Sequence, residues 1–222
     1  MPAPISVIIP TLNASQGLPG CFASLMEGLD ASLIREVVVV DAGSTDDTVA
    51  LADEWGAEIS HSTTASRGGQ LRQGADAARG DYLLFLHADT RLSPGWTTAV
   101  SAQLPQGPAC FQLAFRSDHP MARITAGWAN LRTRLFGLPY GDQGLLISRD
   151  AYTAAGGYPD VPLMEDVALA RALPKITTLA ATASTAPDRY MRDGWLRRGT
   201  KNLTLLVRYL LGADPQSLAK RY

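Results

Sequence analysis

Little in this chain is set aside for cross-linking, membrane crossing or attraction to polyanions. Its two cysteines, Cys21 and Cys110, are far apart and match no metal-ligand spacing, which predicts buried thiols in a reducing cytosol and excludes a disulfide framework. No apolar run approaches the ~18 residues of a membrane span. Met1-Pro-Ala-Pro leads straight into Ile5-Ser-Val-Ile-Ile9 without the basic start and longer apolar core of a secretory leader. A basic excess is also missing: the net charge of -1 gives no reason to expect a nucleic-acid partner. Two phosphate-binding fingerprints are absent as well, Gly-x-x-x-x-Gly-Lys-Ser/Thr anywhere and Gly-x-Gly-x-x-Gly after the first strand, which argues against a kinase or a dehydrogenase.

What remains is 222 residues, 46% of them hydrophobic, enough for one well-buried domain. Ile5 to Ile9 is a β-branched run ending at Pro10, and it predicts a buried strand followed by the loop Pro10-Thr-Leu-Asn13. A helix follows from about Leu18, with Phe22, Leu25, Met26 and Leu29 expected on its buried face. Val37 to Val40 predicts a second strand, which delivers Asp41 at its carboxyl end. Ser44 or Thr45 can cap the next helix, with Asp46 and Asp47 in its positive first turn, and that helix runs to about Trp55. Ala57 to Ser60 is a short third strand. Ser66-Arg-Gly-Gly-Gln-Leu-Arg-Gln-Gly-Ala75 then combines three glycines with Arg67 and Arg72, a composition that suits either close approach to phosphates or a solvated helix face. Tyr82 to Leu86 is the fourth strand, and His87-Ala-Asp89 follows at once. Alternation of this kind implies an α/β fold with a parallel sheet, in which ligands bind beyond the carboxyl ends of the strands.

Further on, the pattern predicts a helix over Pro94 to Leu104, a strand over Ala109 to Phe115 and a helix over Met121 to Phe136. Asp142 and Gln143 fall on a turn before another strand and are candidate acceptor contacts. Val161 to Leu173 leads into a helix with Glu165 and Asp166 in its first turn. The helix dipole favours carboxylates there whatever the function. Three carboxylate-bearing loops, after Val40, after Leu86 and before Val167, are nonetheless candidates for one shared pocket. Trp195 to Leu211 reads as a helix with an apolar stripe and the basic residues Arg197, Arg198, Lys201 and Arg208. It suits packing on its own domain, homodimerisation, or peripheral contact with a membrane surface.

Taken together, Ile-Ile-Pro-Thr-Leu-Asn13, Val-Val-Val-Val-Asp-Ala-Gly-Ser-Thr-Asp46, Phe-Leu-His-Ala-Asp-Thr90, Tyr-Gly-Asp-Gln-Gly144 and Pro-Leu-Met-Glu-Asp166 resemble the family 2 glycosyltransferases of the GT-A fold, from Ile5 to about Leu173. The match looks closest to a small bacterial branch without membrane spans, whose closing helix ends much like Ala219-Lys-Arg-Tyr222. The resemblance implies a Rossmann-like open sheet with mostly parallel central strands flanked by helices. It also implies a single domain over 1–222, comprising a nucleotide-binding half (1–90), an acceptor and catalytic half (91–190) and a C-terminal helical segment (191–222). It implies that Pro10, Thr11 and Asn13 line a nucleotide-sugar pocket, that Asp41 bonds the base or ribose, and that Arg67 lies near the diphosphate or base. Asp89 would hold a Mg²⁺ or Mn²⁺ ion bridging the diphosphate, and Asp166, with Glu165 beside it, would act as general base in an inverting transfer from a donor, expected to be a UDP-sugar, to an acceptor hydroxyl.

Four positions depart from the pattern, one of them Ala14, which stands where a Glu is frequent after the Asn. His87 replaces the first Asp of Asp-x-Asp and suits metal ligation, a sugar contact or simple packing; Leu12 replaces an aromatic; Arg72 stands where many relatives carry Asn. Arg189 and Arg192 suit either closure over the ligands or a solvated loop. Localisation is expected to be cytoplasmic, with possible contact at the inner face of the membrane. The rival readings are a nucleotidyltransferase, which should carry a Gly-rich basic loop after the first strand, and a non-catalytic nucleotide-sugar binder.

Overall fold

The structure, a computed structural model, describes residues 2–63 and 66–220; Arg221 and Tyr222 of the expected closing motif lie outside the described residues. In chain order the elements are β1 (Ile5–Thr11), α1 (Leu18–Asp30), β2 (Ile34–Asp41), α2 (Thr48–Glu54), β3 (Glu58–His61), α3 (Arg67–Ala77), β4 (Tyr82–Phe85), β5 (Arg91–Leu92) and α4 (Trp96–Gln103). They continue with β6 (Ala109–Phe115), α5 (Pro120–Phe136), β7 (Leu145–Ser148), α6 (Arg149–Ala154), α7 (Glu165–Ala172), β8 (Thr177–Thr185), α8 (Asp188–Asp193), α9 (Trp195–Leu210) and α10 (Pro215–Ala219).

All eight strands form one sheet in the order β3-β2-β1-β4-β7-β6-β8-β5. The parallel arrangement expected from the alternating first half holds for β3, β2, β1 and β4. Beyond β4 the sheet turns mixed: β7 runs antiparallel to both β4 and β6, while β6 and β8 are parallel. The chain steps outward from β1 to β2 and β3, then returns to place β4 on the other side of β1. Their carboxyl ends therefore part at a switch point, where an open sheet of this type leaves a crevice.

Side chains of the central strands alternate between two cores. Ile5, Val7 and Ile9 join Leu84 and Leu86 on one face, beneath Leu18, Phe22, Leu25 and Trp96. Ile8, Leu83 and Phe85 lie on the other, against Leu71, Ala75, Tyr152, Tyr158 and Leu169. Period-two alternation with both faces covered is why these strands read as uninterrupted apolar runs. The glycines of α3 serve this packing. A Cβ on Gly74 would lie 2.4 Å from Ile8 Cγ2, and one on Gly68 would lie 2.1 Å from the Pro159 carbonyl oxygen. They let a helix approach the sheet and a neighbouring loop; the expected loop entering a helix is helical from Arg67 onward, with Ser66 as its cap.

Four other expectations change. The buried face of α1 is Leu18, Cys21, Phe22, Leu25 and Gly28, whereas Met26 and Leu29 are exposed; an apolar-periodicity reading passes over the small Cys21 and Gly28, and a Cβ at Gly28 would lie 2.6 Å from the Trp96 ring. Neither Ser44 nor Thr45 caps α2: the Asp46 carboxylate accepts from Thr48 N instead, and Ser44 turns to Asp41. β2 starts at Ile34, three residues earlier than the valine run, and so includes Arg35 and Glu36. β8 was not expected at all, because Thr177-Thr-Leu-Ala-Ala-Thr-Ala-Ser-Thr185 alternates small polar and small apolar residues and carries little hydrophobic contrast.

Glu36 is buried on β2 because its charge is fully partnered. It accepts from Ser6 Oγ and from Arg79 N, each at 2.5 Å, and from Arg79 Nε at 2.6 Å. Burial opposes ionisation, but the Ser6 hydroxyl, the Arg79 N–H and the guanidinium together hold the carboxyl below its ordinary value. Glu36→Gln should therefore lower the unfolding free energy at pH 7 by about 2 kcal/mol in urea titrations, less than for a fully enclosed pair because the Arg79 side chain is half exposed. The wild-type contribution is full above the unfolded value of ~4.3 and is lost as pH falls through the lower folded value, so the gap between the two proteins should narrow in acid.

Candidate functional site

The loops after β1 and β2 are stitched to each other. Thr11 Oγ1 donates to Asp41 Oδ1 at 3.0 Å, Asn13 N to Ser44 Oγ at 2.8 Å, and Thr45 N to Asn13 Oδ1 at 2.9 Å. Ala14 N and Ser15 N donate to Thr48 Oγ1 and Asp46 Oδ2. Asn13 sits at φ 51, a left-handed conformation that Asn tolerates better than most residues. Beneath them the Gln70 amide reaches up from α3 and donates to both Thr11 O and Val40 O. No feature of the α3 sequence announced that role.

Asp41 is the hub of this stitching and is only 1% exposed. Oδ1 accepts from Thr11 Oγ1 and Ser44 Oγ, and Oδ2 accepts from Gly43 N and Ser44 N. Burial opposes its ionisation, and the bonds from Ser44, Thr11 and Gly43 outweigh that and lower its pKa. A carboxylate has about four acceptor positions, and all four are taken. The expected contact with a base or ribose therefore requires one of these bonds to be exchanged, and as the structure stands Asp41 shapes the loop. Pro10 is half-buried at the strand end, while Leu12 and Asn13 are exposed on the rim.

Asp89 lies where the chain leaves β4 in mid-sheet and crosses to β5 at the far edge. Its Oδ2 accepts from Thr185 Oγ1 at 2.9 Å and Ala186 N at 3.4 Å, and its carbonyl accepts from Arg116 Nη1 at 2.8 Å. Thr185 ends the unexpected strand β8, so the partner that orients Asp89 was hidden with that strand. A Cβ on Gly17 would come within 3.0 Å of Asp89 Cα and Cβ, so the start of α1 packs directly on this residue.

On the opposite wall, Met164 takes a left-handed φ of 66, a conformation costing about 1 kcal/mol or more for a residue with a side chain, and α7 starts immediately after it. Glu165 is buried and faces Arg67 Nη1 at 3.4 Å. Burial, then the charge of Asp166, pushes its carboxyl up to about 7 against the pull of Arg67. Asp166 is half-buried; its Oδ2 accepts from Gly141 N at 2.8 Å and its Oδ1 from Val167 N at 2.7 Å. Arg67, expected near a diphosphate, is thus placed on the Glu165 side of the cleft.

The Gly141 turn draws these groups together. Asp142 is pushed up to about 6, mainly by burial, with Arg132 opposing and the charges of Asp166 and Asp89 adding; its Oδ1 is buried without a hydrogen-bond partner. The Gly141 N–H donates to Asp166 and a Cβ at the same residue would meet His87, two residues before Asp89, so the loops after β4 and before α7 meet at this turn. Gln143, read as an acceptor contact, is instead fully buried. It accepts from Thr133 Oγ1 at 2.7 Å and donates to Phe111 O at 3.2 Å, so it ties the turn to α5 and β6.

His87 is a packed, neutral imidazole. Desolvation, with Arg67 and Arg189 adding and Asp89 opposing, pushes it down to about 3. Its Nε2 is enclosed without a hydrogen bond, and a Cβ on Gly141 would lie 2.6 Å from it. Among the described residues no three His, Cys, Asp or Glu side chains cluster as a metal cage. Asp89 supplies one carboxylate, a donor set that fits a hard divalent cation whose remaining ligands are phosphate oxygens and water. Of the two arginines before α9, Arg192 is paired with Asp193, while the Arg189 charge reaches His87.

The contact between His87 and Gly141 is testable. Gly141→Ala should destabilise the protein by about 1–3 kcal/mol through overpacking, and adding His87→Ala should recover part of that loss. Urea unfolding of the four proteins in the cycle reads the coupling, and purely additive costs would show that the two positions do not press on each other.

Comparison with known proteins places these features. The family model described as glycosyl transferase family 2 matches residues 6–143, more than half of the chain. A PGL/p-HBAD biosynthesis glycosyltransferase of Mycobacterium tuberculosis is 36% identical over 143 residues, covering 61% of this chain and 51% of that protein. A TPR repeat-containing protein of Synechococcus elongatus is 31% identical over 144 residues, covering 62% of this chain and 34% of that one. The chain thus spans about half or less of the length of these curated relatives. Among solved structures, S. aureus TarS superposes with a TM-score of 0.64 at 17% identity, covering 95% of this chain and 66% of that one. Glucosyl-3-phosphoglycerate synthase from Mycobacterium tuberculosis, solved with Mn²⁺ and UDP, gives 0.54 at 21% identity, covering 83% and 70%. Both likenesses concern the fold, the GT-A arrangement of a mixed sheet flanked by helices.

Proposed function

The chain belongs to glycosyl transferase family 2, and from that premise we propose that it transfers a sugar, with inversion, from a nucleoside diphosphate sugar to an acceptor hydroxyl. The observation that supports this reading best is the Gly141 turn: its N–H donates to Asp166 and a Cβ there would meet His87, two residues before Asp89, which brings the two carboxylate-bearing loops to one turn. The stitched loops of Thr11, Asn13 and Asp41 form the donor end, beside the β1–β4 switch point. A uridine donor is favoured because structures sharing the fold were solved with UDP-GlcNAc or with UDP and Mn²⁺.

Within this reading each group has a task. Asp89, oriented by Thr185, would hold a divalent cation, which when bound neutralises charge gathering on the departing nucleoside diphosphate. Asp166 takes the proton from the acceptor hydroxyl as its oxygen attacks the anomeric carbon, and the Gly141 N–H fixes the carboxylate's direction. Glu165, buried against Arg67, positions that guanidinium. Asp142, a carboxyl titrating near neutrality in the same cleft, suits a hydrogen bond to an acceptor hydroxyl. The chain functions as one catalytic domain, and its buried free thiols, Cys21 and Cys110, suit the reducing cytoplasm.

Donor binding is read by thermal unfolding. Millimolar UDP-sugar with Mn²⁺ should raise the melting temperature by a few degrees, as expected near ~100 times the dissociation constant. Chelation or Asp89→Ala should remove the rise, and a protein indifferent to every nucleotide sugar would defeat the proposal.

The base is tested separately, since Asp166→Asn keeps the shape of the side chain. It should retain the donor-induced shift yet reduce turnover by about 10²–10⁴-fold. Turnover close to wild type would remove Asp166 from that role.

A further inference from the structure

The helices α5 and α9 each expose an apolar stripe. On α5, Ile124, Trp128, Leu131 and Leu135 recur at i, i+4, i+7 and i+11 and are all exposed, Leu135 at 66%. On α9, Leu196, Leu203, Val207 and Leu210 recur at i, i+7, i+11 and i+14 and are exposed too. Neither set belongs to the core: α5 buries Ala122, Ala126, Ala129, Arg132 and Thr133, and α9 buries Trp195, Arg198, Leu205 and Leu206. The two stripes adjoin, because Trp128 and Leu203 line the same small cavity between the helices. At about 100° per residue each stripe occupies one side of its helix. Together they make a single apolar face rather than scattered exposed residues.

The charges carried by these two helices have one sign. Arg123 and Arg134, eleven residues apart, lie together on one flank of the α5 stripe, and Arg197, Lys201 and Arg208 lie together on a flank of α9. Neither helix contains an Asp or Glu, although the chain as a whole carries a net charge of -1. Basic side chains beside an apolar face that includes a tryptophan match the chemistry of a bilayer interface with anionic headgroups. A second copy of this chain would set like charge against like charge, which disfavours self-association through the same face.

We propose that the joined faces of α5 and α9 dock on an anionic membrane surface, with Trp128 and the leucines entering the headgroup region and the exposed Arg123, Arg134 and Arg197 meeting lipid phosphates. The surface involves two helices, 17 and 16 residues long, lying along the bilayer. Neither is long and apolar enough to cross it, and no other described helix is. The inference stands apart from the transfer reading, because vesicle binding is measured without donor or acceptor.

The full chain would be sedimented with vesicles of phosphatidylcholine alone and of phosphatidylcholine with one third phosphatidylglycerol. Binding is expected to the anionic vesicles, with a partition coefficient about tenfold lower on neutral vesicles or in high salt. Tryptophan emission should shift to the blue on binding, and the shift should be lost in Trp128→Phe while sedimentation persists. The pair Leu131→Asp and Val207→Asp, both at exposed positions, should keep the wild-type melting temperature and lose binding about tenfold or more. Three results would each overturn the proposal: no sedimentation with anionic vesicles, undiminished binding by the Asp pair, or light scattering that shows a stable dimer abolished by that pair.

Discussion

Parallel pairing of β1 with both β2 and β4 is the constraint on which the rest of this molecule depends. A strand paired on both sides and covered on both faces has no polar surface to present, so Ile5, Val7, Ile8 and Ile9 are fully enclosed, and every chemically useful residue is displaced to the strand ends. Parallel direction puts those ends along one edge of the sheet. Because β4 lies across β1 from β2, the loops part there and leave a crevice. The site is therefore a consequence of topology before it is a matter of particular side chains.

Within that crevice the carboxylates divide by what surrounds them. Asp41 has every acceptor position filled by neighbours and serves the shape of its loop. Asp89 and Asp166 are each held on two sides, Asp89 by Thr185 Oγ1 and Ala186 N and Asp166 by the N–H groups of Gly141 and Val167. Glu165 and Asp142 are short of compensating bonds, and burial raises both toward neutrality. One type of side chain thus supplies a structural tie, two oriented anions and two carboxyls whose charge is sensitive to their surroundings. His87 joins them sterically, as the body against which Gly141 rests.

Much of this was legible in residue order. The alternation of apolar runs with loops announced the parallel half of the sheet, and the strand-end positions of Asp41 and Asp89 followed from the runs before them. Glu165 and Asp166 fell in the first turn of a helix, as their spacing required. Legibility failed where hydrophobic contrast was low or where a polar residue was buried. β8 consists mostly of Thr, Ala and Ser. Glu36 sits inside a strand because Ser6 and Arg79 satisfy it, and Gln143 sits in the core because Thr133 and Phe111 do. Cys21 and Gly28 face the core from α1 while the larger Met26 and Leu29 are exposed, and at Gly28 the Trp96 and Ile34 side chains leave no room for a Cβ. None of these partners is near in sequence.

The sequence by itself determined the family, the class of fold and the loops that bear carboxylates, because these depend on local periodicity and on short motifs whose residues lie within a few positions of one another. Only the tertiary structure decided how each carboxylate is partnered. Asp41 is satisfied by Thr11 from thirty residues away as well as by its own loop, Asp89 is aimed by Thr185 from β8, and Asp142 is raised mainly by its burial, with charges on two other loops adding. Hydrogen-bond saturation and desolvation are properties of the assembled cleft, and a chain read in order carries no record of which distant groups will supply them.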